Sequence, residues 1–240
     1  MRTILKGIGK LFCVLILVLL VAALVVGGWF GVQGYNMYQN AIEDMPISKK
    51  VEMIRSVDNF VEYEELPKIY IDAVISVEDK RFEEHNGVDW RRTMGAVLNL
   101  FSGESSYGGS TITQQLMKNE YFTQEKKLER KFAEIFAAWD IEKQYSKEDI
   151  FELYVNTIYF GSGYYGIYDA AEGYFGKEPS ELNEYEAVML AGLPNAPSAY
   201  SPDTSPELAK QRMRQVLDRM VECEVIDQTE ADNLLAQADE

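Results

Sequence analysis

Between Lys10 and Glu43 the sequence carries no charged residue, and residues 11–32 are 22 mostly aliphatic side chains in succession. A helix of that length covers about 33 Å at about 1.5 Å per residue, and a bilayer's hydrocarbon core is about 30 Å thick. The alternative is an excised signal peptide, whose apolar region runs to about 7–15 residues. This run is longer, and Gly27 and Gly28 lead into Trp29 and Phe30 instead of a small-residue cleavage site. It therefore reads as an uncleaved anchor.

Arg2, Lys6 and Lys10 precede the run and no basic residue closely follows it. Basic residues stay on the cytoplasmic side, which puts residues 1–10 in the cytoplasm, 11–33 in the membrane and the remainder outside. Trp29, Phe30, Tyr35 and Tyr38 then fall near the outer interface, where aromatic rings with polar tips are favoured. The three cations give the first 42 residues +3, so the other 198 carry −19 within a total of −16. With 39 acidic residues against 23 basic and 47% hydrophobic, the chain is neither an unstructured polar polymer nor a basic nucleic-acid binder. Cys13, Cys223 and the one histidine, His85, cannot make a thiolate or imidazole metal cluster.

Residues 34–57 read as a juxtamembrane connector and 58–240 as one extracytoplasmic domain. Its signals are helical. Pro67 suits a first turn, and Pro67, Ile71, Val74 and Glu78 follow at spacings of 4, 3 and 4, so a carboxylate ends a largely apolar row. Ser110 or Thr111 is placed to cap a helix through Gln114, Gln115 and Lys118. Residues 126–144 form an amphipathic pattern, with Leu128, Phe132, Ile135, Phe136 and Trp139 on one face and Lys127, Arg130 and Glu134 opposite. Ser146 with Asp149, and Asn183 with Glu186, are capping-box pairs that open two more helices. The tail from Pro206, with Leu208, Met213, Val216, Leu217 and Met220 at helical spacing, predicts one or two further helices. No strand pattern of convincing length is present, and the fold class is all-α.

A literal G-x-G-x-x-G occurs at Gly161, Gly163 and Gly166, but a helix precedes it where dinucleotide binding needs a strand, so it reads as a packed turn. His85 reads as a structural histidine. Five cations (Lys118, Lys126, Lys127, Arg130, Lys131) lie within 14 residues, against three acids. A solvated face with ion pairs one turn apart is the plain reading. The sharper one is an anion clamp, since diphosphate oxygens bind converging cationic donors. Glu78, partly desolvated at the end of its apolar row, suits proton abstraction from a sugar hydroxyl. Glu134, one turn beyond Arg130, supplies the second member of a carboxylate pair of the kind that glycosyl chemistry uses.

Four blocks occur in order: Glu78-Asp79-x-x-Phe82-x-x-His85-x-Gly87, Gly109-Ser110-Thr111-Ile112-Thr113-Gln114-Gln115, Arg130-Lys131-x-x-Glu134, and Lys147-x-x-Ile150-x-Glu152-x-Tyr154-x-Asn156. Together they resemble the signature of the peptidoglycan glycosyltransferases of family 51, over about residues 58–202. The resemblance implies a lysozyme-like helical lobe with a smaller membrane-proximal lobe, polymerising lipid II into β-1,4 glycan by inverting transfer and releasing undecaprenyl pyrophosphate. It implies Glu78 as the base at the acceptor 4-hydroxyl and Glu134 as a second catalytic carboxylate beside the donor diphosphate. It also implies substrate contacts at Asp79, Ser110, Thr111, Gln114, Gln115, Lys118, Lys126, Arg130, Lys131 and Asn156. Lys126 stands where many relatives carry Arg, which keeps charge but not bidentate geometry. Asn156 and Glu152 are equally open to a role at helix ends.

The implied partners are lipid II, the growing strand and the cytoplasmic membrane, with transpeptidases and other wall-synthesis proteins compatible. No cofactor is required by the sequence, and a divalent cation, Mg²⁺ or Mn²⁺, is compatible with it. About 40 residues follow the last block, too few for a transpeptidase domain, so cross-linking is expected elsewhere. An anchored enzyme that cuts the glycan, or an inactive scaffold of a wall-assembly complex, are the competing functions. The first has no use for a diphosphate clamp, and the intact carboxylates argue against the second.

Overall fold

The computed structural model describes residues 2–102, 108–123, 125 and 127–237. Helix α1 (Arg2–Asp44) is continuous for 43 residues and contains the whole uncharged run. Its apolar residues from Val14 to Val26 touch nothing else in the protein. The helix does not stop where the apolar run stops. Gly34 and Tyr38 are buried, because the last turns of α1 dock on the domain. The stretch after residue 33, which reads as a connector in the sequence, is thus helical through Asp44 and again in α2 (Ile47–Arg55).

At the centre lies α3 (Lys68–Glu78), with Tyr70, Ala73, Val74 and Val77 buried, and Pro67 stands just before its first residue. It is followed by α4 (Trp90–Ser102), α5 (Ile112–Tyr121), α6 (Leu128–Ile141) and α7 (Lys147–Thr157). Thr111 caps α5 and Ser146 caps α7; in each, the hydroxyl accepts from the backbone N–H three residues on and the partner side chain, Gln114 or Asp149, reaches back. Such caps contribute about 1 kcal/mol each by satisfying orphan donors of the first turn. A two-stranded antiparallel hairpin, β1 (Tyr159–Gly161) and β2 (Tyr164–Tyr165), follows α7. Then come α8 (Ile167–Phe175), α9 (Glu184–Gly192), the single turn α10 (Pro197–Tyr200), α11 (Pro206–Glu222) and α12 (Gln228–Ala236). Helix α3 packs on α9 and α11, and α5 on α6 and α7. The architecture is all-α apart from the hairpin.

The G-x-G-x-x-G runs from that hairpin into the next helix: Gly161 ends β1, Gly163 sits in the turn and Gly166 is the N-cap of α8. Gly161, Gly163 and Gly166 all have positive φ, between +84° and +95°, a region open to glycine and costly for other residues. The segment turns the chain from β1 through β2 into α8.

Helix α6 departs from the amphipathic expectation. Its most buried residues are Ala133, Glu134, Ala137, Ala138 and Ile141, while Leu128 is 58% exposed. The aromatic row faces α1 instead: Phe136 makes ring contacts with Tyr35 and Tyr38, and Phe132 abuts Gly34. Both sides of α6 are covered, and the face with Arg130 and Glu134, open in the sequence between solvated ion pairs and an anion clamp, looks into the domain. Bulk hydrophobicity marks the α1 side because large rings fill a helix–helix groove. Small residues mark the other side because they permit close approach.

Candidate active site

The base candidate Glu78 ends α3 and is 8% exposed. Gln115 Nε2, from the first turn of α5, donates to Glu78 Oε2 at 2.8 Å. Arg212 Nη2, from α11, stands 3.8 Å from Glu78 Oε1. Arg212 is buried and its Nε donates to Gly192 O at 3.1 Å, so the guanidinium is held before it meets the carboxylate. Arg92, from the first turn of α4, donates Nη1 to the Glu78 carbonyl and Nε to Gly108 O at 2.6 Å. A cation at the last carbonyls of α3 complements the negative end of its dipole. Glu78, Arg92, Gly108, Ser110, Gln115, Lys118, Asn195 and Arg212 line one cleft, with a volume of about 210 Å³.

A second cluster borders the first. Glu134, 2% exposed, accepts from Lys131 Nζ at 2.8 Å on Oε2, and its Oε1 is ion-paired at 3.0 Å with Arg130 Nη1, a contact without hydrogen-bond geometry. Lys131 Nζ also donates to Ser110 Oγ at 2.7 Å, which ties the cluster to the cleft wall. Arg130 Nε is buried with no hydrogen-bond partner in the protein. Lys118 lines the cleft with Glu78 and interacts electrostatically with both carboxylates. Burial pushes its ammonium pKa down, Arg130 and Lys131 push the same way, and Glu134 and Glu78 oppose them.

Of the residues expected to touch substrate, the structure brings Ser110, Gln115, Lys118, Arg130 and Lys131 together beside Glu78 and Glu134. Asp79 is not among them. It is fully buried, and its Oδ2 accepts the Ile112 N–H at 3.1 Å and sits 2.9 Å from His85 Nε2, so it joins the end of α3 to the start of α5. His85 is structural, as expected. Thr111 and Gln114 are buried as the capping box of α5, and Thr111 Oγ1 donates to Gly87 O at 2.6 Å. They carry the loop that presents Ser110 and Gln115.

Asn156 holds the Val61 backbone from both sides, accepting its N–H at 2.9 Å and donating to its carbonyl at 2.8 Å. Glu152 accepts from Arg55 Nε at 3.0 Å and from the Tyr63 N–H at 3.3 Å. Both act at helix ends. Lys127 turns to exposed Glu125, and Lys126 lies outside the described residues. Among the described residues, no group of three His, Cys, Asp or Glu is placed to hold a metal ion.

Arg92 and Arg212 escape the sequence reading. Arg212 had a signal: it lies four residues from both Leu208 and Val216, a charge on the edge of α11's apolar row. Arg92 had none, since its two acceptors are backbone carbonyls brought near by folding.

A family model described as "Transglycosylase" matches residues 47–221, most of the chain. The chain belongs to the transglycosylase family. This transglycosylase is 46% identical over 177 residues to penicillin-binding protein 1A of Neisseria gonorrhoeae, covering 73% of the chain. It spans only 22% of that relative's length. It is 39% identical over 197 residues to a protein of Cupriavidus necator named as a transglycosylase, covering 82% of the chain and 85% of the relative. A crystal structure of penicillin-binding protein 1A from Haemophilus influenzae aligns with a TM-score of 0.43 at 24% identity, over 73% of this transglycosylase and 17% of that chain.

Proposed function

We propose that this transglycosylase polymerises lipid II into β-1,4-linked peptidoglycan strands outside the cytoplasmic membrane. The observation that carries the reading is the meeting of two clusters at one cleft: a buried carboxylate, Glu78, held by a glutamine with Lys118 on the same wall, and a second carboxylate, Glu134, paired with Arg130 and Lys131. Glu78 takes the proton from the acceptor's 4-hydroxyl as that oxygen attacks the donor's anomeric carbon from the face opposite the leaving group. The bond to the diphosphate breaks with inversion, and undecaprenyl pyrophosphate departs with the electron pair. Lys118, Arg130 and Lys131 meet the charge that develops on the leaving oxygens. The buried Arg130 Nε is a donor of the kind a diphosphate oxygen satisfies. Both oxygens of Glu134 face cations, so it acts through them by fixing their positions.

The membrane-length helix α1 supports anchoring beside a substrate whose lipid tail stays in the bilayer. The charge placement supports a cytoplasmic N-terminus. Purified enzyme incubated with lipid II in detergent is expected to yield long glycan and free undecaprenyl pyrophosphate. Glu78→Gln keeps the size and the Gln115 contact but cannot take the proton, and is expected to lose about 10²–10⁴ of the rate while remaining folded. Unchanged polymerisation in Glu78→Gln refutes the base. Cleavage of glycan strands by a wild type that builds none replaces the polymerase with the cutting enzyme.

A further inference from the structure

The docking of α1 on α6 has a direction. Gly31 lies nearest Phe132, Gly34 against Phe132, Glu129 and Ala133, Tyr35 against Phe136, and Tyr38 Oη donates to Asp140 Oδ2 at 2.6 Å. The partners advance together along both helices, so the two run parallel. Arg130 and Lys131 are therefore level with the part of α1 near Val32, where the apolar run ends and Gln33 begins. Exposed Leu128 lies half a turn nearer the bilayer.

The contact has no slack at Gly34. A Cβ there would fall 2.4 Å from Phe132 Cβ, 2.7 Å from Glu129 O and 3.0 Å from Ala133 N, closer than atoms pack. Glycine alone lets the two backbones approach this far. Sliding α1 along α6 would break the Tyr38–Asp140 bond, whose donor is on a buried tyrosine.

We infer that Gly34, Tyr38 and Asp140 form a depth-setting seat that locks α6 to α1 in the one register holding Arg130 and Lys131 at the level of the bilayer headgroups. This rests on the polymerase reading for its benefit: a diphosphate anchored in the bilayer is met at its own height, with the positioning entropy already spent by the fold. Gly34, Tyr38 and Asp140 are positioning residues and do not touch substrate.

The test uses the full chain in phosphatidylglycerol vesicles. Inserting Ala-Gln-Ala-Gln between Gly28 and Trp29 keeps the seat but lifts the domain about 6 Å from the membrane. Polymerisation of vesicle-embedded lipid II is expected to fall about a hundredfold, the scale of loss that misplacement produces. Turnover of a short-chain, water-soluble lipid II analogue should stay unchanged. Gly34→Leu should behave likewise if it folds, and the insertion variant decides the matter if it does not.

A fluorophore on Leu128→Cys, with Cys13 and Cys223 replaced by Ser, reads depth without activity. Headgroup-level nitroxide lipids should quench it in the unextended chain and quench it less after the insertion. Equal quenching, or equal loss on both substrates, overturns the seat. A wild type that polymerises neither substrate overturns the polymerase reading instead, and the quenching then judges the seat alone.

Discussion

Replacing Asp79 by alanine removes the acceptor that joins three pieces of the fold. Its Oδ2 takes the Ile112 N–H at the start of α5 and faces Nε2 of His85, and Asp79 itself is sealed from solvent. In Asp79→Ala the buried Ile112 N–H and the part-buried His85 ring nitrogen both lose their partner. Hydrogen bonds to a charged group contribute about 1.5–3 kcal/mol each, so the loss is about 3–6 kcal/mol. Domains of about 150–250 residues lose about 2–4 °C of Tm per kcal/mol, which sets a fall of at least about 6 °C. Thermal unfolding in detergent, followed by tryptophan fluorescence and circular dichroism, measures it. Well below the new midpoint, KM for lipid II should match wild type, because Asp79 has no surface with which to touch substrate. An unchanged Tm together with a raised KM would refute the reasoning and return Asp79 to the cleft wall.

The depressed pKa of Lys118 predicts an alkaline limb in kcat/KM for the donor. Its ammonium loses charge before an ordinary lysine would as pH rises, so the clamp weakens early. Arg stays charged, so Lys118→Arg should move that limb to higher pH; a limb that stays in place assigns it to another group. For Asp89, burial pushes the carboxyl pKa up, but the Arg81 guanidinium at 2.6 Å and the Arg92 N–H prevail and hold it below the usual value. A lowered carboxyl pKa stabilises the fold above the unfolded value near pH 4 and loses that contribution as pH falls through the folded one. Wild type should therefore exceed Asp89→Asn in Tm at neutral pH, and the gap should close in acid. A gap constant with pH would count against the pair as its source.

The elements most legible in the sequence were those whose signals lie within one turn. The capping pairs Ser146 with Asp149 and Asn183 with Glu186 each act over three residues, and each opens a helix where the pattern places it; of the two caps offered for α5, Thr111 is the one used. The row from Ile71 to Glu78 likewise emerged as a buried face ending in a buried carboxylate. Helix α6 was misread because its periodicity reports where bulky rings lie, and here the rings serve a neighbouring helix. Asp79 was misread, and Asn156 left open between two roles, because a polar residue inside a motif block looks the same whether it meets substrate or a distant backbone N–H.

The sequence by itself determined that the chain is helical and that it carries a membrane-length apolar run, and it singled out Glu78 and the Arg130–Glu134 group as candidates. These follow from local periodicity, capping and charge density, which depend on near neighbours. Tertiary structure alone decided that Glu134 is buried beside Arg130 and Lys131, that Arg92 and Arg212 reach Glu78 from separate helices, and that α1 packs on α6 through Gly34, Tyr35 and Tyr38. Those outcomes depend on which surfaces meet, and helix α11 can supply a cation to the end of α3 only after the core between them has closed.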